Sequence, residues 1–105
     1  MSDSHEQLAF KALADPTRRQ ILLHLSHGEK SIGELVSEFS MTRAAVKKHL
    51  DILTRGQMVT VQPRGRERIN RLQPSGIKSV TDWLSHFDHF WDDKLTALKN
   101  VVESD

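Results

Sequence analysis

The stretch that most constrains the fold of this chain spans residues 31–72, SIGELVSEFSMTRAAVKKHLDILTRGQMVTVQPRGRERINRL. Two short helical patterns joined by a tight turn come first, over residues 31–54. Two strand patterns of alternating apolar and polar residues follow over residues 58–72, with an arginine-rich turn at residues 63–65 between them. That order of elements is typical of a helix-turn-helix followed by a β-hairpin wing.

Positive charge is concentrated in the same part of the chain. Residues 41–72 hold eight Lys or Arg against two acidic residues, whereas residues 1–40 hold four against six and residues 73–105 three against six. The whole chain carries a formal net charge of only +1. A nearly neutral chain that gathers its cations on one element is expected to present that element to a polyanion.

Helical patterns also precede this stretch. Residues 5–14 predict a first helix, and Asp15 and Pro16 predict the start of a second, because Asp is a good N-cap and Pro fits the first helical position. Ser31 and Glu34 have the spacing of a capping box, which predicts that the third helix begins there. Gly56 is expected to cap the end of the fourth helix.

One long helix is predicted over residues 75–103. At 1.5 Å per residue such a helix is about 40 Å long, which is longer than a small domain needs. So many aromatic side chains on one long helix predict a second subunit as its partner. The apolar residues form one narrow stripe, with Trp83 and Phe90 on its flank; the stripe contains Ile77, Val80, Leu84, Phe87, Trp91, Leu95, Leu98 and Val102.

The predicted fourth helix, residues 43–54, has a cationic outer face that fits the major groove of DNA. Arg43, near the start of this helix, is the best-placed side chain for a bidentate contact with guanine, and Lys47 follows one turn later. Ala44 is small enough to allow a close approach to a thymine methyl group. The remaining candidates are expected to bind phosphates or the minor groove from helix N-termini, the helix flank and the wing: Ser31, Thr42, Lys48, Arg64, Arg66 and Arg68.

Composition excludes several classes of function. The chain has no cysteine, which removes disulfides, thiolate metal sites and thiol redox sensing. It shows no signal-peptide pattern at its start and no apolar run of the length of a membrane span, so we expect a cytoplasmic protein without a membrane partner. No nucleophile motif or glycine-rich phosphate loop is present, so we expect no catalytic residues and no enzyme.

Three segments carry a resemblance to a known family: FKALADPTRRQILLHL, IGELVSEFSMTRAAVKKHLDIL and GQMVTVQPRGRERINRL. They resemble the ArsR/SmtB-type winged-helix repressors of bacteria, from about Leu8 to Leu98, and DPTRR and KKHLDIL are the most specific marks. The resemblance implies a mainly α winged helix-turn-helix with a small β-hairpin, which dimerises through its first and last helices. It also implies repression of transcription at a two-fold-symmetric operator in double-stranded DNA, often that of the repressor's own operon.

From these considerations we expect one winged-helix domain over residues 1–105. The helix-turn-helix would span residues 31–54, the wing residues 58–72 and the dimerisation helix residues 75–103. The dimer interface is expected to contain Leu8, Val80, Trp83, Leu84, Phe87, Phe90, Trp91 and Leu95.

The metal sensors of this family often carry a cysteine pair in the third helix, where this chain has ELVSEF. We therefore place it in a branch without the thiolate site and expect no cofactor. Weak candidates for metal ligands lie along one face of the last helix, away from the apolar stripe: Asp82, His86, His89 and Asp93. The sequence leaves three alternatives open. The first is a dimeric repressor that responds to no ligand or to an unknown effector, and the second is a zinc-responsive repressor that uses His86 and His89. The third is a protein-interaction module, in which the aromatic side chains of the last helix bind a protein partner that could control the regulator.

Overall fold

The computed structural model describes residues 4–103. The described chain forms six α-helices, one 3₁₀ turn and three strands, in the order α1 (His5–Leu13), α2 (Pro16–Leu25), β1 (Lys30–Ser31), α3 (Ile32–Glu38), α4 (Arg43–Arg55), β2 (Val59–Arg64), β3 (Glu67–Leu72), α5 (Pro74–Leu84), the 3₁₀ turn Ser85–Phe87 and α6 (Asp88–Glu103). This is the mainly helical winged helix-turn-helix that the sequence predicts. We refer to residues 4–73 as the body and to residues 74–103 as the arm.

The body is built around one apolar core. Helices α1 to α4 and strand β2 each bury their apolar face in it, as their sequence periodicity predicts. The arm contributes the partly buried side chain of Val80, which packs against this core. The fully buried large side chains of this core are Ile21, Leu35, Val46, Leu53, Met58 and Val59.

The junction between α1 and α2 explains the DPTRR motif. The Asp15 side chain caps α2 by accepting a hydrogen bond from the Arg18 backbone N–H at 3.1 Å. The Arg18 Nε donates to the Ala12 carbonyl at 2.8 Å, and the Arg19 Nη1 donates to the Leu13 carbonyl at 2.6 Å. The two arginines therefore satisfy carbonyl groups at the end of α1 that have no partner within that helix.

The sheet differs from the predicted two-stranded hairpin. It has three antiparallel strands in the order β1-β3-β2, because the short β1 pairs with β3 and places Lys30 opposite Asn70. The predicted turn at residues 63–65 is also shifted. Residues 63 and 64 continue β2, and the turn consists of Gly65 and Arg66. Gly65 has a φ of +63°, a conformation that glycine adopts without strain.

Gly56 caps the end of α4, as predicted, but for a different physical reason. Its φ of −79° needs no glycine, and the next residue, Gln57, takes the positive φ of 57°. A Cβ atom at position 56 would lie 2.8 Å from the Leu8 carbonyl oxygen and 2.9 Å from the Ala12 Cβ. Glycine is therefore required here because α1 crosses the end of α4 at close range.

A second glycine joins the arm to the body. The Gly76 N–H donates to the Gln57 carbonyl at 2.8 Å, and the Gln73 N–H donates to the Met58 carbonyl at 2.9 Å. A Cβ atom at position 76 would lie 2.2 Å from the Gly56 carbonyl oxygen. The first turn of α5 thus packs backbone to backbone against the end of α4.

The predicted single helix over residues 75–103 is interrupted. A 3₁₀ turn at Ser85–Phe87 separates α5 from α6. The Ser85 hydroxyl donates to the Asp82 carbonyl, and the His86 Nδ1 lies 2.7 Å from the Trp83 carbonyl oxygen. Side chains that bond carbonyl groups three residues back compete with the regular helical pattern and tighten the turn.

Candidate DNA-binding surface

Helix α4 presents a cationic face to solvent. The Thr42 hydroxyl oxygen caps the helix by accepting a hydrogen bond from the Ala45 N–H at 3.1 Å. The inward face is apolar, with Val46, Leu50 and Leu53 buried. Packing on that side fixes which residues remain on the solvent side, and these are Arg43, Ala44, Lys47, Lys48 and Asp51.

Arg43 belongs to an open cleft between α4 and the wing. One part of this cleft, about 150 Å³ in volume, brings Arg43 and Lys47 together with Arg68 of β3 over an apolar floor that includes Leu50. A neighbouring part, about 210 Å³ in volume, lies beside the start of α3 and is lined by Arg43, Arg66 and Arg68. We call these two parts the basic cleft. It gathers four of the predicted DNA-binding cations along one side of the body: Arg43, Lys47, Arg66 and Arg68.

Asp51 is an acidic residue on this cationic face. Its carboxylate lies 3.2 Å from the Lys47 Nζ, one helical turn away, and both side chains are more than half exposed. An exposed pair of this kind is weak, because water competes for both charges. Lys47 is therefore available to exchange Asp51 for a phosphate or a base.

Ser31 is largely buried, although the sequence places it among the phosphate-binding candidates. Its side chain forms the predicted capping box: the hydroxyl oxygen accepts from the Glu34 N–H at 3.1 Å, and the Glu34 carboxylate accepts from the Ser31 N–H at 3.0 Å. The bond from the Ser31 backbone, followed by the bond from its hydroxyl, lowers the pKa of the Glu34 carboxyl. Ser31 lines the basic cleft but is only 5% exposed.

Arg64 is separated from the other wing candidates. The Arg64 Nη1 donates to the Glu29 carboxylate at 2.7 Å, and Arg71 of the neighbouring strand donates to the other oxygen of that carboxylate at 2.7 Å. The bonds from Arg64 and then from Arg71 lower the pKa of Glu29 below its usual value. Sequence reasoning did not single out Glu29 or Arg71, although strand alternation places Arg71 and Arg68 on opposite faces of β3.

The candidate dimer residues lie along α1 and the arm. Leu8 and Val80 are partly buried, and the Trp83 ring packs edge-on against Phe10 of α1 at 5.7 Å. Trp83 also contacts Phe87, with ring centroids 5.2 Å apart. The other predicted interface residues are 42–60% exposed: Leu84, Phe87, Phe90, Trp91 and Leu95.

The weak metal candidates are not gathered into a site. Asp82 forms an ion pair with Lys78 at 2.7 Å, and the His86 Nδ1 is directed at the Trp83 carbonyl. Among residues 4–103, no three His, Asp or Glu side chains form a group that could hold a metal ion. Within the same range, no helix combines the length and apolar character that crossing a membrane requires.

Known proteins share this architecture and sequence. Residues 13–62 match the family model described as a helix-turn-helix domain. The HTH-type transcriptional regulator Rv2034 of Mycobacterium tuberculosis is 35% identical over 92% of this chain and 88% of its own length. The transcriptional repressor SdpR of Bacillus subtilis is 28% identical over 82% of this chain and 96% of its own.

A solved structure extends the likeness to the arm. An ArsR-like transcriptional regulator from Rhodococcus sp. RHA1 superposes with a TM-score of 0.75 at 30% identity, over 96% of this chain and 93% of its own. The likeness therefore covers both the body and the arm. The chain belongs to the ArsR/SmtB family of winged helix-turn-helix, DNA-binding transcriptional regulators, which confirms the family and the function predicted from its sequence.

Proposed function

We propose that this chain is a homodimeric transcriptional repressor that binds a two-fold-symmetric operator with helix α4 in the major groove. The observation that carries this proposal is the basic cleft, which aligns cations of α4 and of the wing on one side of the body. A major groove about 12 Å wide accepts one helix, and a hairpin beside that helix can follow the adjacent backbone.

The residues of α4 have distinct roles in this complex. Arg43, at the exposed N-terminal end, would bond the O6 and N7 atoms of a guanine, and Lys47 would contact a base or phosphate one turn later. Ala44 would allow the helix to approach a thymine methyl group. Thr42 and Lys48 would bind phosphates on either side of the groove.

The wing contributes affinity more than base selection. Arg66 and Arg68 line the basic cleft and would bind phosphates or enter the minor groove. Arg64, which the sequence places in the same group, is bound to Glu29. Ser31 would support the site by fixing the start of α3 through its capping box.

Dimerisation supplies the second half of the operator contact. We propose that α1 and the arm of one protomer pack against their copies in the partner, because the arm carries an apolar surface that its own chain leaves exposed. A two-fold dimer places two α4 helices in successive major grooves when the half-sites lie about one helical turn, or a multiple of it, apart.

We further propose that repression needs no metal and acts in the cytoplasm. The name of SdpR supports repression. The zinc-responsive alternative is less favoured, since Asp82 is paired with Lys78 and His86 is directed at a backbone carbonyl. An unknown small effector, or a protein partner at the exposed aromatic side chains of the arm, would supply the signal that releases the operator.

The test is fluorescence anisotropy with the DNA just upstream of the chain's own gene and with a scrambled duplex, at one fixed salt concentration, in EDTA and again with zinc. We expect selective binding in EDTA that zinc leaves unchanged. Arg43→Ala should lose most of the selectivity, whereas Lys99→Ala, which removes the same charge from the arm, should not. Equal binding of both duplexes would contradict recognition at this operator, and binding that responds to zinc would contradict metal independence.

A further inference from the structure

The loop between α2 and β1 places one carboxylate against the wing. Glu29 Oε1 accepts a hydrogen bond from the Arg64 Nη1 at 2.7 Å, and Oε2 accepts from the Arg71 Nη2 at 2.7 Å and Nε at 3.2 Å. A single side chain therefore binds one arginine from each long strand of the hairpin. Arg71 donates two charge-assisted bonds to one carboxylate oxygen, and Arg64 donates one to the other.

Strand register explains why these three residues meet. The pairing of β1 with β3 sets Lys30 opposite Asn70, so the residue before β1 comes beside Arg71. Arg64 is opposite Glu67, and side chains alternate along β3, which puts Arg64 and Arg71 on one face of the hairpin and Arg68 on the other. The wing thus has one face toward the basic cleft and one face held by Glu29.

The contact with Glu29 is open to exchange. The side chains of Arg64 and Arg71 are 55% and 56% exposed, and that of Glu29 is 33% exposed. Ion pairs this exposed add little to folding stability. A phosphate is tetrahedral, but two of its oxygens can accept bonds from one guanidinium, as the two oxygens of a carboxylate can. An arginine that stays bound to Glu29 therefore offers DNA fewer free N–H groups and a partly neutralised charge.

We propose that Glu29 competes within the molecule against DNA phosphates for Arg64 and Arg71, and so limits the electrostatic part of the affinity for DNA. The proposal rests on the proposed DNA-binding function. In the wild-type protein, Arg66 and Arg68 carry the phosphate contacts of the wing. Because phosphate contacts contain no base information, Glu29 lowers the affinity for every sequence by a similar factor and leaves the choice of operator to α4.

The test compares Glu29→Gln with Glu67→Gln. Both variants remove one negative charge from the wing region. Glu67 lines the basic cleft beside Arg66 and Arg68, but among residues 4–103 it forms no ion pair, so its replacement changes the local charge without freeing an arginine. Affinities for the upstream and scrambled duplexes are measured by anisotropy across a salt series. Glu29→Gln should bind both duplexes about tenfold more tightly at low salt, with the slope of log K against log[salt] steeper by about one to two. Glu67→Gln should change both quantities by less than half as much.

A double-mutant cycle identifies the arginine responsible. Arg64→Ala should change DNA affinity less than about twofold in the wild-type background, but should remove about half of the gain in the Glu29→Gln background. If Glu29 only supported the wing structurally, Glu29→Gln would weaken binding, and the effect of Arg64→Ala would not depend on residue 29. Circular dichroism melting of each variant establishes that it is folded.

The outcomes separate this proposal from the one on which it rests. If the wild type binds DNA and Glu29→Gln binds no more tightly than Glu67→Gln, competition by Glu29 is wrong and the DNA-binding proposal stands. If neither protein binds either duplex at low salt, the DNA-binding proposal is itself wrong and the role of Glu29 is lost with it.

Discussion

The body of this protein buries most of its apolar side chains, whereas the arm leaves most of its own exposed. All thirteen buried hydrophobic side chains among residues 4–103 lie in the body, where only Leu23 is a large, exposed apolar residue. The arm has ten such exposed residues, and the one residue that it buries is Gly76. The longest dimension of the chain is 62 Å, with a radius of gyration of 17.9 Å, whereas a compact domain of about 100 residues has about 13 Å.

This difference separates two sources of stability. The body has a core within one chain, so its folding is expected to be independent of protein concentration. The arm lacks such a core, and helices of its length are only marginally stable in water without tertiary contacts. Its apolar side chains therefore need a partner, which in the dimer that we propose is a second copy of the chain.

The largest effect is expected from a charge placed in the arm. Trp91→Glu should dissociate the proposed dimer, because association would then bury an unpaired carboxylate. Sedimentation velocity should show a monomer at concentrations where the wild type is a dimer. His89→Glu adds a carboxylate two residues before Trp91, on the side of the helix away from the apolar stripe, and should remain dimeric. A dimeric Trp91→Glu variant would show that this residue lies outside the interface.

The second largest effect is expected from truncating one apolar side chain in each region. Leu53→Ala removes a fully buried side chain of the body and should lower the free energy of unfolding by about 3 kcal/mol at any protein concentration. Leu95→Ala removes a side chain that is 60% exposed, so its effect should arise through dimerisation and change with concentration. Urea melts at two protein concentrations measure both. A loss for Leu95→Ala that does not depend on concentration would contradict the division between body and arm.

The joint between the two regions should be sensitive to a single methyl group. Gly76→Ala would place a Cβ 2.2 Å from the Gly56 carbonyl oxygen, so α5 must shift away from the body, at a cost of about 2 kcal/mol. Gly33→Ala is the matched control, because the nearest atom to its new Cβ is 3.8 Å away. Thermal melts should show a lower midpoint for the first variant and an equal or higher one for the second, since Ala favours helix over Gly. Similar melts for both would contradict the close packing at the joint.

Acid should weaken the body by a smaller amount. Three of its carboxyl groups have a lowered pKa. At Asp15, burial raises the pKa, but the hydrogen bond and the positive charge of Arg18 outweigh it and lower the pKa. Hydrogen bonds from Arg64 and Arg71 lower the pKa of Glu29. The bond from the Ser31 backbone N–H lowers the pKa of Glu34. The unfolded chain therefore binds protons first as the pH falls.

The stability that these groups contribute is complete above the unfolded pKa values, near 4 to 4.5, and is lost as the pH drops through the folded ones. Urea midpoints should fall between pH 5 and pH 3. Glu34→Gln keeps an acceptor for the capping box and should make that fall shallower. A midpoint that does not change over this range would contradict the stabilising role of Asp15 and Glu34, since the exposed ion pairs of Glu29 add little.

Local patterns predicted most of the fold and of the cationic surface. Caps at Asp15 and Ser31, the periodicity of α4 and the alternation in the wing all depend on residues close in sequence. The features that were missed depend on distant contacts. Glu29 meets Arg71 across 42 positions of sequence, through a two-residue strand with no pattern of its own. Gly56 is explained by α1, which crosses it from more than forty residues away. The 3₁₀ turn in the arm arises from side-chain bonds that the apolar stripe does not reveal.

The most direct test of the central claim measures how many chains bind one operator duplex, and whether the arm is needed for this. Sedimentation velocity with labelled upstream DNA is run with the wild type and with Trp91→Glu. We predict two wild-type chains per duplex, and a folded Trp91→Glu monomer that needs a protein concentration about 100-fold higher to bind, because it loses the second linked half-site. Saturation of the duplex by monomeric Trp91→Glu at the wild-type concentration would contradict the claim that the arm builds the dimer that recognises DNA.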